Sequence, residues 1–350
     1  MDTTETERVL GTASPEQIEE VALTAQKSVS PLRAAVRRFL RDKRAVFCLA
    51  ILLLLTVGSF IFPLIYQHMG SVVPGGISGK APISPSKYHT PGYQDLNYSD
   101  LPGTLFPFNG KWWFHPLGTN TNGQDILAQL MAGLNVSVEL ALMVEVVDIG
   151  LGIFFGTLAG WYGGWLGVSL DRFTDIMFSF PSLLLIILMG ITLGPLFDKW
   201  FHPALFGRMM LLTLAIGLIA WPLMMRFVRG QTLNLKGQQF VEAARTVGTS
   251  DLKIILRHII PNLMSIVIVA ATLDMLTTIV SEAGISLLGV GIRPPGTSIG
   301  LMIANAFTAL DNVSTASELI FPCLTLVIIV VCFSFVGDGV RDAFDPRTKD

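Results

Sequence analysis

Four acidic residues interrupt otherwise apolar stretches of the sequence, and their side chains are the ones most able to do chemistry there: Glu139, Glu145, Asp148 and Asp274. A charged side chain at the centre of a bilayer costs about 2.5–3.5 kcal/mol on insertion scales, so such residues face water or a polar partner rather than lipid. Glu145 and Asp148 are three residues apart, which places them on one face of a helix. Three interpretations stay open: the acids line a transport pathway, make polar contacts between packed helices, or relay protons.

Signatures of catalysis are absent from the sequence. It contains no Gly-x-x-x-x-Gly-Lys-[Ser/Thr] phosphate loop, no His-Glu-x-x-His zinc motif and no Gly-x-Ser-x-Gly nucleophile turn. The five histidines show no metal-ligand spacing. We therefore predict no catalytic residue, no metal site and no cofactor in this chain. If ATP drives its activity, the ATP and its magnesium ion bind to another subunit.

The composition is that of a membrane protein. Of the 350 residues, 51% are hydrophobic and only 14% are charged, whereas a globular domain carries about 25% charged residues. A membrane-spanning helix needs about 20 apolar residues. Six stretches meet or approach that length, which predicts an all-α fold with six transmembrane helices: 45–66, 137–165 with an interfacial end at Trp161, Tyr162 and Trp165, 176–197, 209–225, 262–281 and 319–337. The net charge of −2 offers no basic face for nucleic acid.

The distribution of lysine and arginine predicts the orientation. With both termini in the cytoplasm, the outer segments hold only six of the 24 basic residues: Lys80, Lys87, Lys111, Lys199, Arg208 and Arg293. This bias satisfies the positive-inside rule.

The same reasoning divides the chain into segments. We predict a polar cytoplasmic tail at 1–30, an amphipathic arm and the first transmembrane helix at 31–66, and an extracytoplasmic loop at 67–115. A core of five transmembrane helices follows at 116–340, with a cytoplasmic tail at 341–350. Residues 122–134 follow an Asn-Gly turn signal and predict a short outer helix. The long outer loop either contacts a docked protein or is a solvated insert.

Four glycines are spaced by four within the second predicted span: Gly152, Gly156, Gly160 and Gly164. This spacing places one glycine per turn on a single helix face, where another backbone can approach closely. Packing within the chain and a moving or subunit-facing contact both fit the pattern.

The segment between the fourth and fifth spans, residues 240–262, predicts a helical elbow. Gly248-Thr249-Ser250-Asp251 interrupts one helix, and Ser250 and Asp251 suit the N-cap of the next. The pattern predicts two short helices at an angle that end at Pro261. Small residues on one side suit insertion into a groove of a cytoplasmic partner. The alternative is an amphipathic hairpin lying on the membrane surface.

This elbow resembles the EAA loop of ABC-importer permeases: Glu242-Ala243-Ala244, then Gly248 after three further residues, then Pro261. His258, ahead of Pro261-Asn262, is similar to the oligopeptide/dipeptide/nickel branch of that family. The block from His115 to Thr119 with Gly123-Gln124-Asp125 resembles the HPLGTDxxGRD pattern of the branch, with Asn120 in place of its Asp and Gln124 in place of its Arg. Further blocks agree at 159–165, 171–172, 180–182, 286–291, 337–342 and 345–347. The resemblance covers roughly residues 31–348, and the arm before the core is similar to C-type permeases.

The resemblance implies a type I ABC importer permease in a bacterial or archaeal cell membrane that forms half of a pathway for di- or oligopeptides. The implied partners are a B-type permease subunit, two cytoplasmic ATPase subunits and an extracytoplasmic substrate-binding protein. Coupling to the ATPases is expected at Glu242, Ala243, Ala244, Gly248, Asp251, His258 and Pro261. Two alternatives remain: a proton-coupled secondary transporter using Glu139, Glu145 and Asp148, and a membrane scaffold that does not transport.

Overall fold

The computed structural model describes residues 31–69, 91, 92, 94, 115–308 and 316–344, and over these residues the predicted all-α class is confirmed. One turn of π-helix, Ile255–Ile259, accompanies the α-helices. The helices are α1 (Pro31–Phe39), α2 (Lys43–Met69), α3 (Ile126–Tyr162), α4 (Gly164–Ser179), α5 (Ser182–Trp200), α6 (Ala204–Lys236), α7 (Gln239–Thr246), α8 (Asp251–Ile254), α9 (Ile260–Leu287), α10 (Ile299–Thr308) and α11 (Ala316–Phe344).

Several predicted segments lie outside the described residues. These are the tail 1–30, most of the loop 67–115 and the end of the chain from 345. The Gln129 side-chain amide of α3 donates a hydrogen bond of 3.4 Å to the carbonyl of Pro91 in the loop.

Five helical stretches among the described residues are long and apolar enough to cross a membrane: Lys43–Tyr66, Ser182–Trp200, Ala204–Lys236, Asp251–Leu287 and Ala316–Phe344. They correspond to five of the six predicted spans. The remaining prediction falls on α3, which is 37 residues long. Glu139, Glu145 and Asp148 lower its hydropathy, and α3 is not among the five.

One of the predicted spans is broken in the structure, and the end of another is confirmed. The second predicted span, 137–165, agrees with the structure at its far end: α3 ends at Tyr162, because Gly163 and Gly164 adopt φ values of 60° and 51° and turn the chain into α4. The predicted span 176–197 is interrupted where α4 ends at Ser179. Pro181 lacks the N–H that a helix interior requires, and the residue before it, Phe180, is extended at φ −91° and ψ 136°. The apolar run therefore joins the end of α4 to the whole of α5.

The short outer helix predicted at 122–134, leading into the second span, is present from Ile126 onward as the first turns of α3, so only its predicted start is wrong. The predicted Asn-Gly turn is present: Gly123 has φ 72°, and its N–H donates to the Asn120 carbonyl at 2.8 Å. Asp125 then caps α3 by accepting a hydrogen bond of 3.0 Å from the Ala128 N–H.

The glycine-rich face of α3 packs against α6. A Cβ atom on Gly156 would lie 2.7 Å from the Met225 carbonyl oxygen, and one on Gly160 would lie 2.7 Å from Thr232 Cβ. Gly152 likewise abuts Met224. Gly164 does not belong to this face, contrary to prediction, because α3 has already ended and open space surrounds it. Among the described residues the stripe therefore serves packing between two helices of the same chain.

The arm α1 packs against α11 near the start of α2. A Cβ on Gly339 of α11 would meet both Ala45 of α2 and, at 3.3 Å, the ring of Phe39. Val36 and Leu40 remain exposed, which leaves apolar surface on the arm for the membrane interface that the sequence predicts.

Candidate functional site

The elbow, residues 240–262, is anchored to the rest of the protein by its apolar residues. Val241 on α7 and Ile254 on α8 are fully buried with Ile259 in a cluster that includes Trp161 and Val228. Glu242, Ala243 and Asp251 lie on the exposed side, and Ala244 is half-buried. Apolar side chains are exposed beside them: Val247, Leu252 and Leu256. The elbow thus has one face fixed to the protein and another, apolar in part, that is open for contact.

Gly248 makes the bend of the elbow. Its φ is +80°, a conformation that costs other L-residues roughly 1–2 kcal/mol. No described atom lies within 4 Å of a Cβ placed there, so the backbone conformation is what requires glycine. The Gly248 N–H donates to the Arg245 carbonyl at 2.9 Å, and the Thr249 N–H donates to the Ala244 carbonyl at 3.0 Å.

The second part of the elbow differs from its prediction. Ser250 occupies the N-cap position with extended backbone, but its side chain makes no capping hydrogen bond within the described structure. The helix does not end at Pro261: this residue lies in the first turn of α9, where a proline N–H is not required, and the helix continues to Leu287. The side-chain amide of Asn262 donates to the His258 carbonyl at 2.6 Å. The part of the elbow from Asp251 onward and the span of α9 therefore form one continuous helical path.

Trp161 connects the elbow to α3. The Arg245 guanidinium lies 4.7 Å from the centroid of its ring, and Lys236 Nζ donates a hydrogen bond of 2.5 Å to its carbonyl. The Trp161 side chain is buried in the protein, only 2% exposed. Tyr162 and Trp165 are exposed. Trp161 is thus a buried contact between the elbow and the helix that carries Glu145 and Asp148.

Three of the four intramembrane acids come together. Carboxylate oxygens of Glu145, Asp148 and Asp274 lie within 4.8 Å of one another, and we call these three the acidic cluster. Glu145 and Asp148 are 6% and 2% exposed. Both oxygens of Glu145 and Oδ1 of Asp148 accept no hydrogen bond from any residue that the structure describes. The donor set of the cluster is one that a hard cation can bind. Glu139 is half-buried on the same helix but is not part of the cluster.

The acidic cluster lines a cavity of about 300 Å³ between α3, α4, α6 and α9. The remaining wall is partly apolar, formed by Met177, Phe178, Phe180, Ile219 and Leu223 among others, and includes the hydroxyl-bearing Ser182, Thr277 and Thr278.

Two arginines of α6, the helix that forms part of the cavity wall, are paired with other acids. Arg226 donates to Asp175 at 2.6 Å and packs on the Phe178 ring, and Arg229 forms an ion pair with Asp171. These two arginines therefore do not neutralise the acidic cluster.

Another buried acid, Glu282, lies outside the acidic cluster. The sequence analysis does not find it, because the predicted span 262–281 stops one residue before it. It lies on α9, 1% exposed, and accepts hydrogen bonds from the hydroxyls of Ser286 and Ser298 at 2.7 Å and of Ser137 at 3.2 Å. Ser137 in turn accepts from the Ile299 N–H at 3.3 Å. The network joins α3, α9 and the start of α10. Its only sequence signal is an acid next to several serines.

The pair Arg208–Asp198 also lies where the sequence predicts outer loops. Arg208 on α6 is 4% exposed and donates to Asp198 on α5 at 2.5 Å. The two helices come close here because Gly194 leaves room for the guanidinium. No spacing in the sequence links residues on two different helices.

The turn before α3 shows how the two departures from the family pattern are accommodated. The Asn120 side-chain amide donates to Gln124 Oε1 at 2.9 Å, and Gln129 donates to the same oxygen at 2.6 Å. The nearby Asp125 accepts a hydrogen bond of 2.8 Å from Tyr66, with His115 Nδ1 also at 2.8 Å. Asn120 and Gln124 thus form an amide pair at positions where the pattern has opposite charges.

Comparison with known proteins places the chain in a family. Residues 152–350 match the model described as "binding-protein-dependent transport system inner membrane component", and residues 30–102 match "N-terminal TM domain of oligopeptide transport permease C". The oligopeptide transport system permease protein OppC of Mycobacterium tuberculosis H37Rv is 35% identical over 318 residues, 90% of this chain and 94% of that protein. The OppC of Haemophilus influenzae is 32% identical over 339 residues, 95% and 93% of the two chains.

Two further comparisons extend the picture. The dipeptide transport system permease protein DppC of Lactococcus lactis is 28% identical over 355 residues, 98% of this chain and 97% of that protein. Among solved structures, the inward-facing MetNI methionine ABC transporter matches with a TM-score of 0.49 and 20% identity, over 62% of this chain and 97% of the other.

The chain therefore belongs to the family of binding-protein-dependent inner membrane components, the multi-pass permease subunits of ABC importers. Within that family it is an OppC/DppC-like permease, which confirms the resemblance found in its motifs. The comparisons give no support to the proton-coupled alternative.

Proposed function

We propose that this chain is the C-type permease subunit of an ATP-driven importer of di- or oligopeptides in a bacterial cell membrane. Paired with a B-type permease subunit, it forms half of the translocation pathway. A binding protein delivers peptides to the outer face, and two ATPase subunits bind ATP and magnesium on the cytoplasmic side. Support for the peptide substrate comes from the relatives, which are named for oligopeptide and dipeptide transport.

The single observation that carries the coupling role is the two-sided construction of the elbow. Its outer side exposes Glu242, Ala243 and Val247, while its inner side buries Val241 against Trp161 at the end of α3. An ATPase subunit that binds the exposed side can therefore displace α3 and α9 together. Closure of the ATPases would rock these helices between inward-open and outward-open states.

For the topology we propose six transmembrane helices, with α3 as the second, and both termini in the cytoplasm. A helix of 37 residues is about 55 Å long, well beyond the thickness of a hydrocarbon core of about 30 Å. Its buried acids Glu145 and Asp148 face the cavity rather than lipid. We further propose that the acidic cluster lines the pathway.

The experiment that tests this function is peptide uptake by the complete transporter in proteoliposomes. The assay supplies ATP and collapses the proton gradient with an uncoupler. We expect labelled peptide to accumulate, and we expect two ATPase copies to co-purify with the permease pair. A matched preparation without this chain should show no uptake. Loss of uptake on collapse of the gradient, with ATP present, would contradict the proposal and favour proton coupling.

A further inference from the structure

The acidic cluster combines three carboxyl groups with low solvent access. Glu145 and Asp148 are each more than nine-tenths buried and line the cavity, and three of their carboxyl oxygens accept no hydrogen bond from a described donor. Ionising buried carboxyl groups that have no partner is costly, and three ionised groups within 4.8 Å of one another would also repel. A cation entering the cavity would relieve both costs. Arg226 and Arg229 of α6 do not supply it, because they pair with Asp175 and Asp171.

The cavity favours an organic cation over a bare metal ion. Calcium and magnesium take six to eight oxygen ligands, and magnesium holds its own waters tightly. The cavity of about 300 Å³ is far larger than one ion needs, and much of its wall is apolar, including Met177, Phe180 and Leu223. An alkylammonium group has three N–H donors for three carboxylates and a hydrocarbon body for the apolar wall.

We propose that the acidic cluster binds an ammonium group of the peptide during its passage, either the N-terminal amine or a lysine side chain. This inference rests on the proposed peptide-import function. It assigns the permease a contribution to substrate selection that is separate from the choice made by the binding protein.

The test compares matched peptides in the complete reconstituted transporter. Trialanine and its N-acetylated form differ by the N-terminal ammonium. N-acetyl-Ala-Lys-Ala and N-acetyl-Ala-norleucine-Ala differ by the side-chain ammonium. The initial uptake rate of the peptide with the ammonium group, divided by that of its partner, gives a preference ratio for each pair. The pair whose ratio changes in the cluster variants identifies the source of the ammonium. The same binding protein is used throughout, so its own preference cancels when the preference ratio of a variant is divided by the wild-type ratio.

The variants are Glu145→Gln and Asp148→Asn, which remove charge with little change of shape. Glu139→Gln is the matched control, since this acid lies on the same helix outside the cluster. We expect the preference ratio for one pair to fall by about tenfold in each cluster variant, as when one charge-assisted hydrogen bond is lost. The control should retain the wild-type ratio. Binding-protein-stimulated ATP hydrolysis shows that each variant is assembled.

Three outcomes would overturn the inference. Ratios unchanged in both cluster variants would show that neither carboxylate contacts the ammonium. Wild-type uptake that responds to an external metal chelator, while the variants do not, would assign the cluster to a metal ion. If the assembled wild-type complex imports neither trialanine nor the lysine peptide, peptide import itself fails, a result distinct from unchanged ratios.

Discussion

The Arg245 guanidinium lies 4.7 Å from the centroid of the Trp161 ring, and this contact joins the elbow to the end of α3. Trp161 is also held through its carbonyl by Lys236. From Trp161 the same uninterrupted helix leads back to Asp148 and Glu145 in the cavity wall. The surface proposed for ATPase docking and the proposed pathway therefore share one rigid element.

The Arg245–Trp161 contact predicts a partial coupling defect. Arg245→Ala removes a cation–π contact of about 0.5–1 kcal/mol, so ligand-stimulated ATP hydrolysis should fall about two- to fivefold. Membrane abundance of the permease should not change. Lys253→Ala, which removes another exposed basic residue of the elbow, serves as the control and should keep wild-type stimulation. Equal stimulation in the two variants would show that the contact does not transmit movement.

The bend at Gly248 predicts a stronger effect. Gly248→Asp and Gly248→Ala force a side chain into a positive φ at a cost of about 1 kcal/mol or more. We expect both proteins to reach the membrane and to lose most of the ligand-stimulated ATP hydrolysis. Gly237→Ala is the control, because Gly237 has an ordinary φ of −87° and open space around it. Normal stimulation in both Gly248 variants would contradict the role of the bend.

The packing of α3 on α6 predicts a stability difference between two glycines of one helix. Gly156→Ala brings a methyl group to 2.7 Å from the Met225 carbonyl oxygen, and overpacking of this kind costs about 1–3 kcal/mol. Gly150→Ala meets no described atom within 4 Å and should not destabilise the protein. Thermal unfolding of the purified complex in detergent measures both. Similar midpoints for the two variants would refute tight packing at Gly156.

The network around Glu282 predicts a loss of stability that depends on its acceptor oxygens. Glu282→Ala leaves the buried hydroxyls of Ser137, Ser286 and Ser298 without this acceptor, at a cost of about 1–3 kcal/mol. Glu282→Gln keeps one oxygen and should lose less. The neighbouring exposed Ser281→Ala is the control. The midpoint of thermal unfolding in detergent should be highest for Ser281→Ala, lower for Glu282→Gln and lowest for Glu282→Ala. A midpoint of Glu282→Ala equal to that of the control would contradict the network.

Much of the fold is predictable from the sequence because long apolar runs and glycine or proline signals act locally. The turn at Gly123, the bend at Gly248 and five of the spans were predicted in this way. The errors arise where local signals compete. The apolar run 176–197 hides the break at Pro181, and Pro261 suggests a helix end although the first turn of α9 tolerates it.

For the acidic cluster, the sequence predicts which residues belong to the site better than it predicts how they are arranged. The cost of burying charge picks out Glu145, Asp148 and Asp274, but only the packing of α9 on α3 shows that they meet and that Glu139 does not join them. The Glu282 network and the Arg208–Asp198 pair depend on contacts between distant segments. No periodicity within one helix reports such contacts.

The most direct measurement of the central claim is site-specific cross-linking from the exposed side of the elbow. Ala243→Cys, in a chain whose Cys48, Cys323 and Cys332 are replaced, would carry a short photoactivatable cross-linker in the assembled transporter. Thr192→Cys, exposed in the middle of α5, is the control position. The account predicts an ATPase adduct from position 243 and none from position 192. Absence of an adduct at 243 in a complex that still contains the ATPases would contradict it.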